Sequence, residues 1–256
     1  MSNPTLLSVN VNAVAYLRNR REVPWPNLLD IARAILDAGA HGITVHPRPD
    51  QRHIRFTDVT DLAELIDREY PEAEFNIEGY PTDHFIDLVL SVKADQVTLV
   101  PDTPEQSTSD HGWDLEADGD MLRNMSARFR DAGLRVSYFV DSDADAPAKA
   151  WDAGADRIEF YTGPFANDAG IHGCKTELAR LAAAADNARQ TGHNSPEGRA
   201  PLMMNAGHDL TLDNLPALRE AIPDLAEVSI GHGLTADALM LGFPQAVKRY
   251  LKVLGH

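Results

Sequence analysis

The chain has 256 residues, of which 43% are hydrophobic and 24% charged, with a formal net charge of −16 and one cysteine, Cys174. The length suits one large α/β domain, and no apolar run reaches the ~18 residues of a membrane span. The acidic balance excludes non-specific nucleic-acid binding, the single thiol excludes an internal disulfide or a multi-cysteine metal site, and the N-terminus lacks a secretory pattern, so a cytoplasmic protein without membrane or nucleic-acid partners is expected.

Short β-rich apolar runs alternate with longer helical segments along the chain. LLSVNVN predicts the first strand over 6–12, and Pro26 opens a helix through LLDIARAILDAG that Gly39 stops. GITVHP is the second strand, and Thr57-Asp58 lead into a helix through VTDLAELIDREY. EFNIEGY is the third strand, 81–92 a helix and QVTLVP the fourth strand. Residues 102–112 form a polar loop longer than the usual 2–6 residue βα connection, which reads either as a disordered insertion or as a mobile lid. A helix over 118–132 precedes the strand RVSYFVD, and a short helix over 146–154 precedes the strand RIEFYTG. An alanine-rich helix over 176–190, with Cys174 at its start as a structural thiol, is followed by a polar turn over 193–199. PLMMNAGH, a helix over 212–222, EVSIGH and a closing helix over 237–254 complete the pattern. Eight such units predict a single α/β domain over 1–256, a closed parallel eight-stranded (β/α)8 TIM barrel with extra helices. No GxGxxG follows the first strand and no GxxxxGK[ST] occurs, which argues against dinucleotide and phosphate-loop sites.

In such a barrel, chemistry sits at the C-terminal ends of the strands. GITVHPRPDQRHIR runs from a buried strand straight into His46, Arg48, Arg52, His53 and Arg55, groups that move protons and grip phosphate. Asn10 and Asn12 end the first strand, Glu78 the third and Glu159 the sixth; His208 ends the seventh and Gly231-His232 the eighth. Each buried glutamate either faces the barrel mouth or pairs with an arginine to knit the interior. His46, His208 and Glu78 suit general acid–base work, and the Thr162-Gly163 and Gly231-His232 exits can offer backbone N–H groups to an anion. Without HxH or HExxH spacing, a metal held by His46, His208 and His232 is not expected.

These motifs, in this order, resemble the pyridoxine 5′-phosphate synthase family: VNVNAVAYLRNRR as the first strand and its arginine-bearing loop, AGAHGITVHPRPDQRHI as the most specific signature, then FNIEG, LVPDTPEQSTSDHGWD, RVSYFVD, RIEFYTGPFA, NAGHDLT and EVSIGHGL. The resemblance implies a TIM barrel assembled as a homo-octamer and needing no cofactor. It implies a transferase of vitamin B6 biosynthesis that condenses 1-deoxy-D-xylulose 5-phosphate with 3-amino-2-oxopropyl phosphate, giving pyridoxine 5′-phosphate, phosphate and water. It makes His46 and Glu78 proton acceptors and His208 a proton donor, and has Glu159 support charged transition states. Arg48, His53 and Thr108 would bind the deoxyxylulose phosphate, and Asn10, Arg21, Gly231 and His232 the aminoketone phosphate. The loop carrying Thr108 resembles the family's lid.

Three departures stand out. The family's first strand ends N-x-D-H, where this chain has Asn10-Val11-Asn12-Ala13. Its G-H-G after the seventh strand is here Gly207-His208-Asp209, and its G-R pair after the eighth is Ala236-Asp237. All three weaken the case for anion binding and leave His46, Glu78 and His208 in place. They admit two readings besides the synthase: a paralogue with the same acid–base trio on another substrate, and a non-catalytic protein that binds a phosphorylated metabolite.

Overall fold

Eight parallel strands, paired in sequence order, close into a barrel through the contact of the first with the last. The computed structural model describes residues 4–103, 106, 108–167, 171–193 and 198–256. The elements run β1 (Leu6–Asn10), α1 (Asn12–Asn19), α2 (Leu28–Asp37), β2 (Gly42–Val45), α3 (Phe56–Glu69), β3 (Glu74–Gly79), α4 (Asp83–Ser91), β4 (Gln96–Leu99), α5 (Gly119–Asp131) and β5 (Arg135–Val140). They continue with α6 (Ala146–Asp152), β6 (Arg157–Tyr161), α7 (Gly163–Asn167), α8 (Ile171–Gln190), β7 (Met203–Gly207), α9 (Leu215–Ala221), β8 (Glu227–Ile230), α10 (His232–Leu241) and α11 (Phe243–Leu254). This is the expected (β/α)8 barrel. Among the described residues no helix is long and apolar enough to cross a membrane.

Alternate residues of each strand face opposite ways, so the barrel has two cores. Leu7, Val9, Ile43, Val45, Phe75, Ile77, Val97, Leu99, Val136, Ile158, Phe160, Val228 and Ile230 are buried outward against the helices. The inward set is polar. Ser8 Oγ lies 2.7 Å from Thr44 Oγ1, Asn76 donates to Thr44 and Thr98 donates to Asn76, which makes a hydrogen-bonded middle layer. Below it, Arg157 Nη1 lies 3.2 Å from Glu227 Oε2 and donates to Asn205, while Arg135 pairs with Glu74 and donates to Gln96. Barrel interiors are more often filled by branched apolar side chains.

Five local expectations change. The stretch after β1 begins as helix α1, which buries Val14, Ala15 and Arg18, and only Arg20 and Arg21 follow it in a turn; Arg18 forms a two-pronged ion pair with Asp58 on α3. The closing helix is two helices, α10 and α11, because Gly242 sits at φ 76, a left-handed turn that ends one helix, and Pro244 fits the first turn of the next. Helix α8 begins at Ile171, ahead of the expected start at 176, and α9 begins at Leu215, behind the expected start at 212. Helix α2 is capped by Asn27, whose side chain accepts from the N–H groups of Leu29 and Asp30, so Pro26 precedes the helix. Residues 104, 105 and 107 of the polar loop and 194–197 of the polar turn lie outside the described residues. Cys174 is half-buried on α8 against the outer core.

Candidate active site

The C-terminal ends of the strands open into a cavity of about 830 Å³. Its floor is tied together by short polar links. Asn10 Oδ1 accepts from the N–H of Asn12 at 2.9 Å, and Asn12 Oδ1 accepts from the N–H of His46 at 2.9 Å. The amide at 12, where the family pattern has a carboxylate, thus anchors the exit of β2 to the start of α1.

Beyond β2 the loop brings Arg48 and His53 to one wall, with Arg52 behind them. Arg48 is buried; Nη1 donates to Asp102 at 2.6 Å, and Nη2 donates to the carbonyls of Thr103 and Gln106. Arg52 Nη1 also donates to the Gln106 carbonyl. The polar loop after β4 is therefore held by its backbone oxygens. His53 Nδ1 accepts from the N–H of Ile54 at 2.9 Å, which leaves Nε2 as the nitrogen that carries hydrogen. Burial, then Arg48 and Arg52, push His53 down to about 4. Burial, with His53 and the two arginines, holds His46 well below the usual imidazole range. Both rings are neutral at pH 7.

Glu78 and Glu159 face each other from β3 and β6. Burial, reinforced by Asp102 and Glu227 and opposed by a hydrogen bond from Ser229, pushes Glu78 up to about 8. Burial and the Glu78 charge push Glu159 well above the carboxylate range. Asn10 Nδ2 donates to Glu78 at 3.2 Å, whereas Glu159 Oε2 is buried without a partner. Among the described residues no arginine pairs with Glu159, so the interior-knitting reading of that residue does not hold; Arg157, two residues earlier, pairs with Glu227 instead. Gly207 leaves the room Glu159 needs, since a Cβ there would lie 2.1 Å from Glu159 Oε1.

His208 stands on the turn after β7, its Nε2 3.0 Å from Thr108 Oγ1 and its ring edge-on to Tyr161 at 5.1 Å. Asp209 turns its carboxylate onto His208 Nδ1 at 3.0 Å and accepts from Asn167 at 3.3 Å. Gly231 and His232 line the cavity where α10 begins.

The structure thus gathers Asn10, Asn12, His46, Arg48, His53, Glu78, Thr108, Glu159, His208, Asp209, Gly231 and His232 around one space. Arg21 is exposed and lies off the cavity wall, while Arg20 lies on it. Thr162 does not present its N–H to the cavity; that N–H donates to the Gly207 carbonyl, and its hydroxyl donates to the carbonyls of Gly207 and His208. Ala13 and Ala236 line the cavity, but Asp237 accepts from Tyr250 on α11 and faces away. Sequence reading missed Ser229 and Phe139, which line the cavity, and Asp102, which pairs with Arg48. The alternation in EVSIG and RVSYF places Ser229 and Phe139 inward; Asp102, in a polar loop, carries no such signal.

Residues 7–256 match the family described as pyridoxal phosphate biosynthesis protein PdxJ. The chain is 56% identical over 252 residues to pyridoxine 5′-phosphate synthase of Brucella abortus (strain S19), covering 98% of this chain and 99% of that one. It is 55% identical, with the same coverage, to the synthase of the same name from Brucella anthropi. Solved structures share the fold at low identity. The YdjI aldolase of Escherichia coli K12 has a TM-score of 0.65 at 10% identity over 98% of this chain and 92% of that one. A structure from Aquifex aeolicus VF5 has a TM-score of 0.64 at 16% identity, over 99% and 94%.

Proposed function

The chain belongs to the PdxJ family of pyridoxal phosphate biosynthesis proteins, and from that premise we propose how its cavity works as a pyridoxine 5′-phosphate synthase. The substrates are 1-deoxy-D-xylulose 5-phosphate and 3-amino-2-oxopropyl phosphate. Joining an amine to a ketone needs a proton acceptor for the nitrogen, a donor for the departing oxygen and a site that excludes water. The observation that carries this reading is the sorting of groups in the cavity: burial raises the two carboxyls and lowers two imidazoles, so that acids hold protons and bases lack them near neutral pH.

Neutral His46 accepts a proton. Glu78, at about 8, exchanges one near neutrality. A cationic ammonium or imine beside the two carboxyls relieves their mutual repulsion and lets one ionise, so Glu78 accepts and Glu159 stabilises the cation. His208 donates to the leaving oxygen. Arg48, His53 and Thr108 bind the deoxyxylulose phosphate; His53 does so through Nε2–H. Asn10, Gly231 and His232 bind the aminoketone phosphate, with Arg20 as the guanidinium on the cavity wall of the single chain. Asn12 and Asp209 have local partners in His46 and His208, so these two departures do not call for another substrate. A homo-octamer in the cytoplasm belongs to the same reading; Leu239 and Met240 on α10, 73% and 87% exposed, offer an apolar face for subunit contact.

The test is turnover of both substrates by the purified protein, followed as pyridoxine phosphate by mass and absorbance. Product at an ordinary enzyme rate is expected. Its absence from folded protein would sink the synthase reading in favour of another substrate.

A further inference from the structure

His208 differs from the other two imidazoles of the cavity in how it is held. His53 is oriented by a backbone N–H on Nδ1. His46 is anchored through its own backbone N–H to Asn12, and the nearest carboxylate, Asp102, stays 3.9 Å from its ring. His208 Nδ1 is buried, and the carboxylate of Asp209 stands 3.0 Å from it, off the line of an ideal hydrogen bond. On the far side of the ring Nε2 meets Thr108 Oγ1 at 3.0 Å, at the cavity edge.

The backbone is bent to make this contact. His208 and Asp209 are consecutive non-glycine residues at φ 83 and φ 56, a left-handed conformation that side chains rarely adopt. Such strain persists where surrounding structure over-determines it. Here the Thr162 hydroxyl donates to the His208 carbonyl at 2.5 Å, Asn214 Nδ2 donates to the Asp209 carbonyl at 3.0 Å, and Asn167 Nδ2 holds the carboxylate from its other side. Three side chains thus fix a turn whose result is a carboxylate laid against an imidazole.

We propose that Asp209 is a positioning residue: its carboxylate holds the His208 Nδ1–H and thereby presents Nε2, rather than Nδ1, to the substrate as the proton-exchanging atom. This rests on the proton-donor role proposed for His208: the imidazolium gives the proton on Nε2 to the leaving oxygen and is left as the neutral ring with hydrogen on Nδ1. The arrangement has the logic of a carboxylate that fixes an imidazole's tautomer while the opposite nitrogen does the chemistry. It also explains why aspartate is tolerated beside a phosphate-binding cavity. A carboxylate turned onto an imidazole and an amide repels an incoming phosphate less than one aimed into the opening.

The test uses the full-length protein with Asp209→Gly, which suits the left-handed turn and removes the acceptor, and Asp209→Asn, which keeps shape without charge. Two readouts are needed. The first is kcat and KM for both substrates. We expect kcat to fall about 10- to 100-fold in both variants, the usual cost of losing such an outer partner, with KM changed less than about threefold. The second is the 15N signal of His208 at pH 8 in sedimented, 15N-histidine-labelled protein, identified as the signal missing from His208→Gln. We expect hydrogen on Nδ1 in the wild type and on Nε2, the usual form of a free imidazole, in Asp209→Gly. Wild-type kcat together with an unchanged nitrogen signal would overturn the proposal, and so would a lower KM at unchanged kcat, which would make Asp209 a phosphate-repelling residue. If the wild type makes no pyridoxine phosphate, the synthase reading fails, and the nitrogen signals still decide whether Asp209 sets the tautomer.

Discussion

The two ends of the barrel interior carry the same acidic residue type at similar depth, and they use it differently. At the N-terminal end Glu227 is 2% exposed and Glu74 lies beside it; at the C-terminal end Glu159 is 3% and Glu78 9% exposed. Burial pushes Glu227 up as it does the upper pair, with Glu74 adding to the effect. The lower pair, however, has two guanidiniums in contact, Arg157 at 3.2 Å and Arg135. The upper pair has an asparagine, a serine and each other. Burial is therefore not what separates the two pairs; the presence of a fixed counter-charge is. A buried acid with a built-in cation knits strands together, whereas one without it is poised to meet a cation that arrives with the substrate.

The largest effect that would test this contrast is on turnover. Glu78→Gln should lower kcat about 10²- to 10⁴-fold, the range for losing a general acid–base group. Its melting temperature at pH 9 should equal or exceed the wild type, since no charge must then be buried. A variant that unfolds instead would move Glu78 to the structural side. Next comes Glu227→Gln, which leaves the Arg157 guanidinium buried without its counter-charge. It should destabilise by about 3 kcal/mol and lower the melting temperature by roughly 6–12 °C, while folded protein keeps its activity. A wild-type melt for this variant would erase the distinction between the two ends. The smallest effect is the pH dependence of stability. Glu78 binds its proton more tightly when folded, at about 8 against an ordinary 4.5, so its contribution is complete below about pH 4.5 and is lost as pH rises through 8. Burial and the Glu78 charge raise Glu159 in the same direction, so thermal melts should decline across that window and Glu159→Gln should flatten the decline by removing a second carboxyl that binds its proton more tightly when folded. A slope identical to the wild type would mean that Glu159 does not hold its proton more tightly in the folded protein.

Much of this is legible in the residues. EFNIEG, RIEFY and EVSI alternate polar with apolar, and that period of two already puts Glu74, Glu78, Glu159 and Glu227 on one face of their strands. Taken as generic buried strands, the same runs lose that information, which is why the polar interior and Ser229 went unnoticed while the strand ends were found. NAVAYLRN is too short a helical run to stand out between a strand and an arginine-rich segment. Its pattern of Val14, Ala15 and Arg18 on one side becomes decisive once Asp58 is brought next to Arg18 from 40 residues away. The break at Gly242-Phe243-Pro244 was present in the sequence and was outweighed by the strong helical periodicity on either side.

The sequence by itself determined the eight strand–helix units, their closure into a barrel, the family and the set of residues that meet at the strand ends, because local periodicity and motif order are properties of the chain. Partnership was decided only by the tertiary structure. Which glutamate receives an arginine, where the carboxylate at 209 turns and which nitrogen of His53 carries hydrogen depend on groups tens of residues apart. Arg157 and Glu227 are separated by 70 positions, and Thr108 and His208 by 100. Burial and counter-charge act through space, so the protonation of a side chain is set by neighbours that only the closed barrel supplies.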